Sequence, residues 1–525
     1  MRRRQDRREF LTKAGSLAAI GALSQAARPV RTAWAQTPGV SGRPFQSARD
    51  VVAALATKQI SAVELLEQTI GRIEALDGKI NAVVVRDFER ARSSAREADA
   101  ALARGERGPL LGLPMTVKES FNVAGLPTTW GFPEGRGWSP PEDALTVSRL
   151  KAAGAIIIGK TNLPRGLSDW QSYNDIYGVT NNPWDLARTP GGSSGGAAAA
   201  LAAGFVALEL GSDLGGSVRL PANFCGVFGH KPTQGLLPGR GQTPPRVPAL
   251  PSPGDLDVVG PLARTASDLD LALAVMAGPD EALGKGYRLE LSPPRHQAFK
   301  DYRVLVLDTH PLLPSSAVVR GAIEQFAGRL KKAGVTVARA SPLMPDLARL
   351  TRVYVRLLLA FFSANMSEEA YRQIVAGAAA TPASDTSLAA EGLRGLALSH
   401  RDWIRADRER AGLGQAWRQL FREWDLVICP VMPIAAFPHD HSQPQRNRRL
   451  DIDGAKYAYD DQVAWASIAS LLGLPATAAP IAQSENGLPI GIQIVGPRME
   501  DRTTIAFAHL MEREFGGFKP PPGFA

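Results

Sequence analysis

Along Ser47–Val85, "SARDVVAALATKQISAVELLEQTIGRIEALDGKINAVVV", apolar residues recur every three or four positions. That period predicts a helical opening over the whole run. From "GLPMTVKESFNV" onward the pattern changes to short apolar runs separated by longer amphipathic ones. "LPMTVKE", "GAIIIGKT", "FVALELGSD", "YRVLVLD", "GVTVARA", "WDLVICPV" and "GIQIVG" read as strands. "TVSRLKAAG" and "GAIEQFAGRLKKAG" read as helices between them. The alternation predicts an α/β fold, with a large central mixed β-sheet covered by helices on both faces. Residues 237–254, "LPGRGQTPPRVPALPSPG", form a Pro/Gly loop, and residues 281–300 and 376–395 are polar or small and read as connections. The stretch between those two connections is helical, with "RVYVRLLLAFFSANM" its most apolar part. No internal repeat is evident.

Composition changes this picture at one end only. The chain has 525 residues and a net charge of +9. The first 35 residues hold eight of the basic side chains against two acidic ones, so the remainder is nearly balanced and no nucleic-acid partner is expected. Within that head, "DRREFLTKAG" places Arg7-Arg8 before Phe10-Leu11 and Lys13. The weakly apolar run Ala14–Ala27 follows, shorter than the ~20 residues a membrane span needs. Ala33-Trp34-Ala35 then offers a cleavage site. Residues 1–35 therefore read as a twin-arginine-type export signal, cleaved or kept as an anchor, and residues 36–525 as the working domain. The expected site of action is the periplasm, after folding in the cytoplasm. The two cysteines, Cys225 and Cys429, lie in apolar runs and read as buried free thiols.

Three motifs compete around "RTPGGSSGGAAAALAAGF". By composition Gly191–Gly196 is a flexible linker. Gly154–Thr161, "GAIIIGKT", matches the phosphate-loop spacing, but its variable positions are the strand itself, so Lys160 reads as structural. Gly191–Gly195 satisfies G-x-S-x-G, but a turn-rich segment precedes it where a nucleophile elbow needs a buried strand. No local signature selects a partner among His230, His400, His439, His441 and His509.

The third motif is longer. A second Gly-Gly-Ser, Gly215–Ser217, follows Ser193 by 24 residues, at the end of the strand "FVALELGSD". Glycines let backbone N–H groups turn toward one point, and the helix that opens at Val218-Arg219 adds partial positive charge. Such a nest suits an oxyanion, with Ser217 as the nucleophile at its centre. A serine needs a base. Lys118, at the end of the apolar run "LPMTVK", is a lysine that burial would make neutral.

Together with "DALTVSRLKAAGAIIIGKTNLP", "YGVTNNPWDLARTPGGSSGG", "GSDLGGSVRLPANFCGVFGHKPT", "DLVICPVMP" and "GLPIGIQIVGPRMEDR", these runs give a chain that resembles the amidase signature family of serine hydrolases, kin of fatty acid amide hydrolase and bacterial amidases. The resemblance spans roughly Gly112 to Arg502. It implies that Ser217 is the nucleophile, Ser193 a bridging serine after a cis peptide bond, and Lys118 the base. It implies an oxyanion hole from the N–H groups of Leu214, Gly215, Gly216 and Ser217, supporting places for Ser194, Asp213 and Arg219, and no metal or cofactor. The linker reading of Gly191–Gly196 then gives way to active-site backbone. Hydrolysis of a carboxylic amide to an acid and ammonia or an amine follows. The alternatives are a glutamine-hydrolysing amidotransferase of the A-subunit type, which the export signal opposes, and a non-catalytic binding protein, which retention of Lys118, Ser193 and Ser217 opposes. Expected partners are a small-molecule amide, the twin-arginine translocase during export and, as an open alternative, a second copy of the chain.

Asp169-Trp170 departs from the family's usual glutamate and small or aromatic pair, so the pocket wall is expected to differ. Acyl specificity is expected from 280–440. There Val353–Phe362, "VYVRLLLAFF", reads either as a buried helix face or as the lining of an apolar tunnel beside Ser217. His439-Asp440-His441 reads as surface residues of a Pro-rich loop rather than as metal ligands.

Overall fold

The computed structural model describes residues 44–249, 254–364 and 366–524. The export signal expected over residues 1–35 lies outside them. Eleven strands make one sheet. In chain order they start with β1 (Val83–Arg86), β2 (Pro114–Lys118) and β3 (Ile156–Thr161). A small separate hairpin, β4 (Tyr173–Asn174) and β5 (Gly178–Val179), comes next. The sheet resumes with β6 (Leu208–Asp213), β7 (Phe228–Lys231), β8 (Val258–Ala263), β9 (Arg303–Val306), β10 (Thr336–Ala338) and β11 (Leu426–Pro430). A second hairpin, β12 (Arg449–Ile452) and β13 (Ala455–Ala458), precedes β14 (Ala476–Gln483) and β15 (Pro489–Val495). The spatial order is β1-β3-β2-β6-β8-β7-β14-β15-β11-β9-β10. Pairs β3-β2, β2-β6, β11-β9 and β9-β10 are parallel and the other six antiparallel, so the sheet is mixed, as expected.

The helical opening is interrupted. Helices run over Ala48–Ala56 and Ala62–Ile80, but Val83–Arg86 is an edge strand antiparallel to β3. Asn81 ends the helix in the left-handed region at φ 58°, and its amide donates to Tyr177 O at 2.6 Å and Val179 O at 3.1 Å. Three consecutive valines then favour the pleated surface. Residues 376–395 are also not a connection. They lie mostly in the helices Glu368–Ala380 and Leu388–Leu396, each capped by a serine side chain, Ser367 and Ser387. Their alanines are strong helix formers, which a polarity criterion overlooks. Residues 281–300 hold only the short helix Glu281–Gly284 and the start of one turn.

The fully buried helix Gly195–Ala202 packs on β2, β3, β6 and β8, and its alanine side chains let it lie close to them. The glycines before and within it are sterically required. A Cβ at Gly192 would stand 2.6 Å from Asp169 O, one at Gly195 2.4 Å from Ser172 Oγ, and one at Gly196 2.4 Å from Asn162 N. A segment packed this closely against its neighbours is not a linker. Among the described residues no helix is long and apolar enough to cross a membrane.

Candidate active site

The parallel strands β2 and β6 run side by side, and the expected base Lys118 and the expected supporting residue Asp213 are their last residues. Lys118 is the last residue of β2 and is fully buried. Its Nζ lies 2.6 Å from Ser193 Oγ and 3.0 Å from Ser212 Oγ. Burial drives the lysine down to about 7, against the opposing fields of Asp257, Asp213 and Glu209. Near neutrality this amine is therefore divided between its charged and free-base forms. The Gly192–Ser193 peptide bond is cis. Ser194 N donates to Ser217 O at 3.2 Å, so the Gly-Ser loop rests directly against the loop that follows β6.

That second loop is built by Asp213. Its carboxylate accepts from the N–H groups of Gly216 at 2.9 Å, Val218 at 3.1 Å and Arg219 at 3.3 Å, which wraps Leu214–Val218 around it. Gly216 sits at φ 98°, a conformation open to glycine. The Arg219 guanidinium closes the unit, with Nε and Nη2 on the two carboxylate oxygens at 3.0 and 2.9 Å. Its other donors reach Gln493 Oε1 at 2.7 Å, Ser470 Oγ at 2.8 Å and Ala466 O at 3.3 Å, so all five N–H groups are used. Burial alone would raise the Asp213 carboxyl, but the guanidinium holds it well below the usual carboxylate range. Ser217 lies near the head of this turn, 8% exposed, with Leu214 and Gly215 half-buried beside it.

Of the four N–H groups expected to form an oxyanion hole, Gly216 is committed to Asp213. Those of Leu214, Gly215 and Ser217 donate to no acceptor among the described residues, which narrows the set to three. Two aromatic side chains brace the loop. Trp170 Nε1 donates to Gly215 O at 2.9 Å and Tyr354 OH donates to Leu214 O at 2.7 Å. The Leu214 carbonyl shares a peptide group with the Gly215 N–H, so the Tyr354 bond aims that N–H to the opposite side. Neither aromatic contact was legible in the sequence beyond the odd Asp169-Trp170 pair. Ser212 was likewise missed, although it sits two residues before Leu214 in a run already singled out.

The departure at Asp169-Trp170 has a structural reason. Asp169 is 8% exposed and accepts from Arg448 Nη1 at 2.7 Å, Tyr459 OH at 2.7 Å and Tyr173 OH at 3.1 Å. This fastens the Trp170 segment to the loop before β12. Val353–Phe362 falls within the helix Leu347–Ser363, and Val353, Tyr354, Val355, Leu357 and Leu358 are buried. Most of the stretch is thus core, with Tyr354 touching the oxyanion loop and Phe361 40% exposed at the far end. Lys160 Nζ donates to Pro127 O at 2.6 Å and Thr128 Oγ1 at 2.7 Å, a structural role. His230 is buried between Thr477 and Asp501. His439 and His441 are half-buried rather than on the surface, with His441 stacked on Tyr173 at 3.9 Å. Among the described residues no three His, Cys, Asp or Glu side chains group as metal ligands. Cys225 and Cys429 are buried free thiols.

Comparison with known proteins identifies the family. The family model described as Amidase matches residues 64–505. The A-type subunit of the glutamyl-tRNA(Gln) amidotransferase from Anaeromyxobacter sp. (strain K) is 35% identical over 497 residues, 90% of this chain and 97% of that protein. Fatty-acid amide hydrolase 2-A of Danio rerio is 31% identical over 500 residues, 90% of each chain. A bacterial aryl acylamidase of the amidase signature family superposes with a TM-score of 0.74 at 25% identity, covering 89% of this chain and 96% of that one. The chain belongs to the amidase family and is an enzyme that hydrolyses carboxylic amides.

Proposed function

We propose that amide hydrolysis here runs through an acyl-enzyme on Ser217, with Ser193 and Lys118 carrying the proton. The observation that carries this reading is the 2.6 Å contact between Lys118 Nζ and Ser193 Oγ, set beside a loop with three uncommitted N–H groups. Free-base Lys118 takes a proton from Ser193 as Ser193 takes one from Ser217. Ser217 Oγ attacks the carbonyl carbon, and the oxyanion develops against the N–H groups of Leu214, Gly215 and Ser217. The proton returns through Ser193 to the leaving nitrogen, the amine or ammonia departs, and water releases the acid by the same route. Ser194, Asp213 and Arg219 act by holding the two loops in place. The active form is the free base, so the rate rises with pH through about 7, where the lysine titrates, toward an alkaline optimum. A flat rate from pH 5 to 9 contradicts this role for Lys118.

The substrate class we assign is an aryl or medium-chain amide. Supporting it are Trp170 and Tyr354, each bonded to a carbonyl of the oxyanion loop, and the partly exposed aromatic end of the Leu347–Ser363 helix at Phe361 and Phe362. A second reading, a glutamine-hydrolysing amidotransferase component, is favoured by the 35% identity to the A-type amidotransferase chain. Ammonia or amine release from acetamide, benzamide, a fatty acid amide, an anilide and glutamine decides between them. An aryl or medium-chain amide leading in kcat/KM supports the first, and glutamine leading supports the second. Acetamide leading removes the apolar pocket. We further propose export to the periplasm, carried by the twin-arginine-like pattern in residues 1–35; recovery of the enzyme only in the cytoplasmic fraction contradicts it.

A further inference from the structure

The hairpin β12-β13 brings two buried side chains to one carboxylate. Arg449 pairs with Ala458, and one step further Tyr459 N donates to Arg448 O at 3.3 Å, so Arg448 and Tyr459 leave the open end of the hairpin side by side. Both reach Asp169. Arg448 Nη1 donates to Oδ2 and Tyr459 OH to Oδ1, each at 2.7 Å. Arg448 Nε donates to Ser442 O at 2.7 Å and Nη2 to Tyr173 OH at 2.8 Å, which fixes the guanidinium from its other sides.

The segment Asp169–Ser172 lies between this hairpin and the two catalytic loops. Its alternate residues serve opposite partners. Asp169 binds Arg448 and Tyr459, and Gln171 exchanges two hydrogen bonds with the backbone of Asp440, Nε2 to O at 2.6 Å and N to Oε1 at 3.0 Å. Trp170 and Ser172 serve the loops. Trp170 Nε1 donates to Gly215 O at 2.9 Å, while Ser172 Oγ donates to Gly191 O and accepts from Gly195 N, both at 3.0 Å. The Gly215 carbonyl shares a peptide group with Gly216 N–H, which donates to Asp213 at 2.9 Å. That peptide plane, one residue before Ser217, is therefore held from both sides, by Asp213 at the N–H and by Trp170 at the oxygen. The Trp170 ring also stands edge-on to Tyr459, with centroids 5.7 Å apart.

We propose that Arg448 is a positioning residue for the hydrolysis, acting with Tyr459 through Asp169 to hold the Trp170 indole on the Gly215 carbonyl. The inference rests on the reading of Leu214–Ser217 as the loop that receives the oxyanion. The tether runs from the β12-β13 hairpin to the Asp169 carboxylate, then through one residue of backbone to the Trp170 side chain, and ends on the loop. Asp169 is 8% exposed and Arg448 2%, so each charge relies on the other rather than on water. Without Arg448 the carboxylate is left buried without its counter-charge, and the segment shifts to relieve it. Trp170 moves with that segment, and the Gly215–Gly216 peptide is then held at its N–H alone.

The test is the second-order rate constant for labelling of the full chain by a fluorophosphonate probe, with a thermal melt beside it. That rate constant is read on the folded, labelled population and does not depend on which amide is the natural substrate. In Arg448→Met it falls about tenfold, because the loop is no longer held in one geometry around the reacting centre. In Trp170→Phe, which lacks the indole donor, it falls by a similar factor. The two substitutions together lower it no more than about tenfold, because they cut the same tether, whereas independent effects multiply to about 100-fold. Tyr459→Phe removes one donor to Asp169 and leaves the ion pair, so it lowers the rate constant about threefold, again without adding to Trp170→Phe. It carries the test should Arg448→Met not fold. A role in stability alone lowers the melting temperature and the labelled fraction, and leaves the rate constant of the folded protein unchanged. An unchanged rate constant in folded Arg448→Met, or in Tyr459→Phe where the first does not fold, overturns the proposal, as do losses that multiply in the double variants. Labelling of Ser217→Ala at the full rate overturns instead the reading of the loop on which the proposal rests.

Discussion

Removing Asp213 tests whether one buried carboxylate holds the whole catalytic loop. In Asp213→Ala the Arg219 guanidinium, 1% exposed, keeps three of its acceptors but loses its counter-charge. Breaking a buried pair from one side costs about 3–5 kcal/mol, a large part of the roughly 5–15 kcal/mol that holds a folded domain. The N–H groups of Gly216, Val218 and Arg219 lose their acceptor in the same step. The loop is then free to re-aim its remaining N–H groups, and loss of one oxyanion donor alone costs about 100-fold to 1,000-fold in rate. The second substitution separates the two effects. In Asp213→Ala with Arg219→Met no uncompensated charge remains, so stability returns toward that of the unsubstituted chain. The loop still lacks its anchor, so reactivity does not return. Urea unfolding measures the first quantity and the rate of labelling by a fluorophosphonate probe the second. A double variant no more stable than the single one refutes the charge argument. Labelling at the original rate in either variant refutes the anchor.

Other consequences are equally open to measurement. Gly196→Ala places a methyl group 2.4 Å from Asn162 N, a backbone atom that cannot step aside, and is expected to lose about 3 kcal/mol or more in a thermal melt. Gly71→Ala, in the helix Ala62–Ile80 with nothing within 4 Å, should instead gain about 0.5–1 kcal/mol. Trp170→Ala removes the donor to Gly215 O and an aromatic wall, so kcat/KM should fall about tenfold for an anilide and less for acetamide. Cys225 and Cys429 are buried, and burial pushes the Cys429 thiol up to about 12. Ellman's reagent should therefore find no reactive thiol in the native protein and two after guanidinium unfolding.

The sequence carried the site more clearly than the sheet around it. Lys118, Ser193, Ser194, Asp213 and Ser217 stand at strand ends and tight turns, where glycine and serine leave a readable mark. β14, "ATAAPIAQ", escaped notice because alanine and an internal proline carry no strand signature; it pairs because β7 and β15 flank it. β8, "VVGPLA", was hidden in the same way by Gly260, whose Cβ would stand 2.2 Å from His230 O. Both are strands by tertiary pairing. Trp170 and Tyr354 were out of reach for another reason. Each touches the loop through one donor to a backbone carbonyl, across 45 and 140 positions of chain, and no local pattern encodes such a contact.

The central claim is that the covalent bond forms on Ser217. Treating the full chain with a fluorophosphonate probe and locating the adduct by peptide mass spectrometry measures it directly. The expected result is a single adduct on Ser217, absent from Ser217→Ala together with all amide hydrolysis, and formed far more slowly in Ser193→Ala and Lys118→Ala. An adduct on another residue, or a Ser217→Ala protein that still hydrolyses amides, contradicts the claim.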